Sequence, residues 1–412
     1  MRAAAAELGV ATDARTAHGA VLRAASGGGP PSGVSAVVED LRAAGLLREL
    51  RTVESAQGAH VRLDGRDVLL LCSNDYLGLA EDPRVRDAAA RAVHEWGAGA
   101  GASRLVSGNM TPHRELEAEL AAFKGTEACV LFGSGFLANT GVVAALAGPG
   151  EVVVSDALNH ASIVDGCRLA QAETIVYPHA DLDGLAAALD RAAGRRATIV
   201  TDSVFSMDGD VAPLHGIVEL ARRHGARVIV DEAHATGVIG PAGRGLVAEL
   251  GLEGEIDVVV GTLSKALGSY GAFACCSAEL ATFLVNRART VIFSTGLPPS
   301  CVAAAGEALR ILRNEPRVVG RLHANARALR AELAAQGLAV EPGDMPIVPL
   351  VIGDPEAAMG LCEAALDRGV FAQAIRPPTV PDGTSRLRLV AMASHTEAEL
   401  RDAARVLGAL TG

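Results

Sequence analysis

The sequence predicts an α/β fold in which a large, doubly wound, mostly parallel sheet is followed by a smaller α+β domain. Three observations carry this. Short apolar runs rich in β-branched residues recur along the middle of the chain, as buried parallel strands require. Helical stretches such as Ile217 to His224 lie between them, and alternation of strand and helix builds a parallel sheet. From Pro298 onward the pattern changes to long alanine- and leucine-rich helices around a few short strands.

Residues 1–34 form an N-terminal extension ending in Ser26-Gly27-Gly28-Gly29-Pro30-Pro31-Ser32-Gly33, a linker that favours neither helix nor strand. Residues 35–72 are expected to pack with the small domain. They open with helical spacing over Val34 to Leu50 and carry a hairpin signal at Asp64-Gly65. The large domain is expected over 73–299 and the small domain over 300–412. Ser73-Asn74-Asp75-Tyr76-Leu77-Gly78, directly after an apolar run, reads as a turn or a ligand-facing loop.

Glu81 to Trp96 predicts a helix. Gly97-Ala98-Gly99-Ala100-Gly101 follows it, and a dinucleotide fingerprint must follow a strand, so a Rossmann dehydrogenase is excluded. Thr111-Pro112 predicts a helix start with Thr111 as N-cap. Cys129 to Phe132 predicts a strand, and Gly133-Ser134-Gly135-Phe136 opens the next helix, where free N–H groups favour a phosphate.

Four more strands then end in polar residues. Val152–Asp156 leads to Asn159-His160, Thr198–Asp202 to Ser206-Met207-Asp208-Gly209, Val228–Asp231 to His234, and Val258–Thr262 to Lys265. Ligands of such sheets bind beyond the carboxyl ends of the strands. For any one of these residues a cap or turn is the plainer role, but five strand ends are expected to point such groups into one crevice. In the small domain Pro298 is followed by predicted helices over Ser300–Asn314, Val319–Gln336 and Pro355–Arg368. Ser385-Arg386-Leu387-Arg388-Leu389 places two arginines on one face by its period of two.

Composition narrows the chemistry. The chain has 412 residues, half of them hydrophobic, and a formal charge of −11, which argues against a nucleic-acid partner. Seven scattered cysteines form no metal spacing, so no metal site is expected, and suggest reduced thiols in the cytoplasm. The longest uncharged run, Ala128 to Gly150, holds five glycines and reads as strand, loop and helix rather than a membrane span. Only two lysines occur, Lys124 and Lys265. Lys124 sits at a predicted helix end, where a cation suits the dipole. Lys265 follows a strand end, where an amine could hold an aldehyde cofactor as a Schiff base, with Asp231 for its pyridinium nitrogen.

Val230-Asp231-Glu232-Ala233-His234 and Thr262-Leu263-Ser264-Lys265-Ala266-Leu267-Gly268 resemble the α-oxoamine synthases, which are fold-type I pyridoxal 5'-phosphate (PLP) transferases. The likeness runs from about Leu71 to the C-terminus. It includes Ser103-Arg104-Leu105-Val106-Ser107-Gly108 and Val204-Phe205-Ser206-Met207-Asp208-Gly209. Ile375-Arg376-Pro377-Pro378-Thr379-Val380-Pro381 is most similar to the branch that makes 8-amino-7-oxononanoate, for biotin, from L-alanine and a pimeloyl thioester of coenzyme A or a carrier protein.

The resemblance implies a cytoplasmic PLP-dependent acyltransferase acting as a homodimer. It implies Lys265 as Schiff-base lysine and proton carrier, Asp231 on the ring nitrogen, His160 stacked on the ring, and His234 and Ser206 near the phenolic oxygen. Gly135, Phe136 and Thr262 would line the cofactor and phosphate site, with Ser294 and Thr295 reaching a neighbouring subunit's phosphate. Asn74, His160 and Arg388 would hold the amino-acid carboxylate, with Arg376 as the alternative arginine and Thr379 near the acyl group. Ala235 departs from the family, which often has glycine there. Other readings are a different α-oxoamine synthase, such as a glycine C-acyltransferase or a secondary-metabolite condensing enzyme, and a non-catalytic partner subunit, which would be expected to lack Lys265.

Overall fold

Runs of valine and isoleucine gain most by burial on both faces, and the computed structural model, which describes residues 33–411, buries them so. The N-terminal extension, apart from Gly33 and Val34, lies outside the described residues. Helix Val34–Ala43 follows, shorter than its apolar spacing suggests and buried nowhere along its length. Strands β1 (His60–Leu63) and β2 (Arg66–Leu70) form an antiparallel hairpin. Its two-residue turn puts Asp64 at φ 48° and Gly65 at φ 78°, the left-handed pair that a tight hairpin needs.

The main sheet contains β3 (Ala128–Phe132), β4 (Val152–Asp156), β5 (Glu173–Tyr177), β6 (Ala197–Asp202), β7 (Arg227–Asp231), β8 (Val258–Thr262) and β9 (Ala272–Cys276). Their order is β3-β9-β8-β7-β6-β4-β5, parallel except for β9, which runs antiparallel to both neighbours. β5 and β9 have no counterpart among the predicted strands. β9 reads Ala-Phe-Ala-Cys-Cys, without a β-branched residue, yet it is wholly buried. Its Phe273 ring lies over Gly261 of β8, where an added Cβ would stand 2.3 Å from the ring.

Two helix starts differ from the sequence reading by a residue or two. Pro83, not Glu81, begins the helix to Trp96, because Asp82 caps it by accepting from the Arg84 N–H. Thr111 is the first helical residue rather than the cap. The His113 imidazole instead reaches back to accept from the Met110 N–H at 3.2 Å.

A second apolar core joins both ends of the described chain. β10 (Ile347–Gly353), β12 (Gln373–Ile375) and β13 (Ser385–Val390) form an antiparallel sheet, while β11 (Val370–Phe371) adds to β2 in parallel. Helix Arg317–Ala335 ties the cores together: Val318, Val319 and Leu322 pack with the large sheet, Ala326, Leu329 and Leu333 with the small one. No helix among the described residues is long and apolar enough to cross a membrane.

Candidate active site

Parallel register sets the first pair of groups. β6 and β7 run side by side so that Asp202 lies opposite Asp231, and Asp231 lies opposite Val260 of β8. The chain leaves β7 in a turn carrying Glu232, Ala233 and His234, and leaves β8 in a turn carrying Lys265. Lys265 Nζ lies 2.7 Å from His234 Nε2, and His234 Nδ1 lies 2.6 Å from the Tyr76 hydroxyl.

Electrostatics sharpen this cluster. Burial lowers Lys265 to about 8, against the pull of Asp231 and Asp202, so the amine is easily deprotonated. Burial, then the charges of Lys265 and Arg388, hold His234 well below the usual histidine range, so it is neutral. Burial and the facing Asp231 push Asp202 well above the usual carboxylate range. Asp231 is held by two donors: the Ala233 N–H at 2.7 Å and Asn139 Nδ2 at 2.6 Å. His160 begins the helix after β4, its main-chain N–H donating to Asp202 at 2.7 Å and its Nδ1 standing 2.7 Å from Ser162 Oγ.

The arginines of β13 part company. Arg386 is neutralised by Asp208 and donates to the Thr384 carbonyl. Arg388 donates instead to two neutral oxygens, the Ser206 carbonyl at 2.5 Å and Asn74 Oδ1 at 3.1 Å. Its Nη2 is buried with no partner among the described residues. A buried guanidinium with an unused N–H and no carboxylate beside it is an anion site.

At the end of β3, Ser134 caps helix Gly135–Leu146 by accepting from the Leu137 N–H, and Phe136 stands exposed beside it. A Cβ added to Gly135 would meet only the Thr262 Cβ, at 4.0 Å. No protein neighbour demands a glycine there, so the space it leaves suits a ligand approaching the helix N-terminus. Thr262 ends β8 and donates to the Gly271 carbonyl at 3.0 Å.

Other candidates lie elsewhere. Arg376 does not join the cluster: its guanidinium is taken up by the carbonyls of Gly45 and Leu47, so the alternative to Arg388 falls away. Thr379 is exposed on the turn after it. Ser294 and Thr295 lie beside Arg104 and Gly133, on a segment joined to the glycine-rich run by the Ser103–Thr295 bridge. Lys124 ends the helix from Thr111, as its position predicts, but it is buried there, paired with Glu232 at 2.6 Å and donating to Thr236 and the Arg244 carbonyl. A cavity of about 210 Å³ between the helices bearing Trp96, Leu116 and Val302 holds none of the groups around Lys265.

Sequence reasoning missed Tyr76, Asn139 and Asp202 as members of the cluster. Asn139 carried a readable signal, since a polar residue inside an otherwise apolar helix needs a buried partner.

The comparisons fit this geometry. The family model for class I and II aminotransferases matches residues 66–407. The chain belongs to that family. It is 51% identical to the 8-amino-7-oxononanoate synthase of Anaeromyxobacter dehalogenans over 367 residues, covering 89% of this chain and 92% of that one. It is 50% identical to the enzyme of that name from Geobacter sulfurreducens, covering 90% and 95%. Among solved structures, a serine palmitoyltransferase from S. paucimobilis with bound PLP superposes with a TM-score of 0.87 at 36% identity, covering 92% and 96%. The 8-amino-7-oxononanoate synthase of Francisella tularensis gives 0.71 at 26% identity, covering 83% and 97%. These relatives place the chain among the α-oxoamine synthases of fold type I, with PLP as cofactor. The residues present fit that group. They supply a desolvated amine, a carboxylate fixed by two donors, a helix start with open space at Gly135, and a guanidinium N–H with no partner among the described residues.

Proposed function

We propose that the chain condenses L-alanine with a pimeloyl thioester to give 8-amino-7-oxononanoate, a free thiol and carbon dioxide, the acylation step of biotin synthesis. The observation that carries this reading is the Lys265–His234–Asp231 cluster facing an unneutralised Arg388, in a chain half identical to enzymes of that name.

When bound, PLP supplies an electron sink for the alanine Cα. Lys265 would hold the cofactor and would take the Cα proton and later return one. Asp231, kept in place by Asn139 and the Ala233 N–H, would keep a proton on the ring nitrogen, and His160 would stack on the ring. His234 and Ser206 would serve the phenolic oxygen, and Gly135, Phe136 and Thr262 the phosphate. Arg388 and Asn74, with His160, hold the alanine carboxylate, which leaves as carbon dioxide after the new carbon–carbon bond has formed and the thiol has departed.

A homodimer in the cytoplasm is the working form we infer. Leu105, Val106 and Phe293 are exposed on the two segments joined by the Ser103–Thr295 bridge, an apolar patch suited to a second copy, and Ser294 and Thr295 would then reach its phosphate. Seven free cysteines agree with a reducing compartment. Thr379 borders the acyl path, and the thiol is coenzyme A or a carrier protein.

A second reading, acylation of serine, is favoured by the TM-score of 0.87 to serine palmitoyltransferase. Mass spectrometry of the products from alanine, glycine and serine, each with thioesters of graded length, separates them. Turnover with alanine and the pimeloyl thioester is expected; preference for serine with a long-chain thioester would overturn the first reading.

A further inference from the structure

Hydrogen bonds continue from Lys265 beyond His234. Tyr76 Oη lies 2.6 Å from His234 Nδ1 and donates to Asn74 Oδ1 at 3.3 Å, and Arg388 Nη1 donates to the same oxygen at 3.1 Å. Three side chains, His234, Tyr76 and Asn74, therefore join Lys265 to Arg388. Tyr76 is fully buried, so its hydroxyl has no water to fall back on.

Donor and acceptor rules leave this array two arrangements. A protonated Lys265 can only donate, so His234 Nε2 must accept. The neutral imidazole then carries its hydrogen on Nδ1, Tyr76 Oη accepts it, and the tyrosine hydrogen points to Asn74. A neutral Lys265 can accept from Nε2–H. Then Nδ1 becomes the acceptor and Tyr76 turns its hydrogen from Asn74 to His234, while Asn74 keeps the Arg388 N–H. Among these groups only the hydroxyl can both give and receive at that position. Burial raises the Tyr76 phenol above its ordinary value, so it keeps its proton in both arrangements.

We propose that Tyr76 is a positioning residue whose hydroxyl reverses its donor role whenever Lys265 changes charge, allowing His234 to exchange tautomers with the amine. The role rests on Lys265 being the proton carrier, a reading that can be tested separately. The other charges that bear on Lys265 are Asp231, Asp202 and Arg388, and His160 bears on His234; of these, Arg388 is the one that the Tyr76 hydroxyl itself contacts.

The chain has two lysines, so lysine labelled with ¹³C at Cε gives two side-chain signals, with Lys124 as an internal control. In the full-length chain freed of cofactor, the Lys265 signal should titrate near 8. In Tyr76→Phe the charged-lysine arrangement loses two hydrogen bonds, Nδ1–H to the hydroxyl and the hydroxyl to Asn74, whereas the neutral-lysine arrangement loses only the hydroxyl's bond to Nδ1, so the charged lysine is disfavoured by one bond. The Lys265 midpoint should fall by roughly half a unit or more, the effect of one buried hydrogen bond, while Lys124 stays put. An unmoved Lys265 midpoint, or equal movement of both signals, would overturn the proposal. Should the variant not fold, ¹⁵N-histidine spectra of the unaltered protein decide the matter. His234, assigned by its loss in His234→Asn, should change from the Nδ1–H to the Nε2–H form as Lys265 is deprotonated. A single tautomer throughout would refute the switch. Borohydride reduction and peptide mapping test the Lys265 reading alone, so failure of that reading is told apart from failure of the Tyr76 role.

Discussion

Replacing Lys124 by methionine should be among the costliest single changes outside the reacting groups. Lys124 and Glu232 are 2% and 0% exposed and meet at 2.6 Å. Glu232 stands between Asp231 and His234 and also accepts from the Val247 N–H at 2.8 Å. Lys124→Met leaves a buried carboxylate with that single donor, a defect of about 3–5 kcal/mol. Unfolding entropy of about 2.1 cal/mol/K per residue over 412 residues gives about 0.9 kcal/mol/K, so the melting temperature should drop by about 3–6 °C. Glu232→Gln should cost a similar amount, because the ammonium is then stranded. In the double variant Lys124→Met/Glu232→Gln the amide still accepts from Val247, no charge is buried, and more than half of the loss should return. Urea unfolding followed by circular dichroism gives the cycle. Cofactor affinity should follow it, weakened in both single variants and regained in the double, since the turn carries Asp231 and His234. A double variant destabilised by the sum of the two singles would show that the pair is not coupled and refute the reasoning.

Borohydride reduction of the cofactor-loaded enzyme should mark Lys265, and Lys265→Ala should lose the cofactor absorption; a mark on Lys124 would overturn the assignment. Arg388→Lys should retain cofactor but lower kcat/KM for alanine by roughly tenfold to a thousandfold, whereas Arg386→Lys keeps its ion pair with Asp208 and should stay within about tenfold of the parent; equal losses would refute the division of labour between them. His179 lies between Asp156 and Asp210; partial burial opposes its charge, yet the two carboxylates lift it to about 10 from 6.5. Its stabilisation is complete below about pH 6.5 and is lost as pH rises through about 10, so His179→Gln should flatten urea midpoints measured across that window, and an unchanged slope would count against the triad.

Much of the sheet was legible because β-branched runs have few alternatives. Val152–Val154, Ile199–Val200 and Val258–Val260 are buried on both faces, as their composition demands. β9 was hidden because Ala272, Ala274, Cys275 and Cys276 owe their strand to the neighbours β3 and β8 rather than to propensity. Lys265, His234, Asp231 and His160 were readable as polar groups at strand ends. Tyr76 was not, since composition alone made its stretch a turn, and only the folded chain brings it to His234. The fate of Lys124 was equally hidden: Glu232, its partner, lies 108 positions away.

The two arginines of β13 show what register cannot decide by itself. Period two puts both on one face, and both are nearly buried, at 5% and 6% exposure. The loop from Val204 to Val211 separates their roles. It offers a carboxylate, Asp208, to Arg386 but only a main-chain carbonyl, from Ser206, to Arg388. Neutral oxygens orient a guanidinium without cancelling its charge, so Arg388 retains its full attraction for an anion. Asp231 and Asp202 are the carboxylates that bear on Lys265, and burial with the facing Asp231 pushes Asp202 well above the usual carboxylate range. Arg388 thereby keeps an uncancelled charge, and helix Gly135–Leu146 presents its N-terminus at the end of β3. On the proposed reading, an amino-acid carboxylate would meet the first and a cofactor phosphate the second. The same loop also holds Asp210 against His179, so the segment that gives Arg388 its Ser206 carbonyl is itself anchored to the turn after β5.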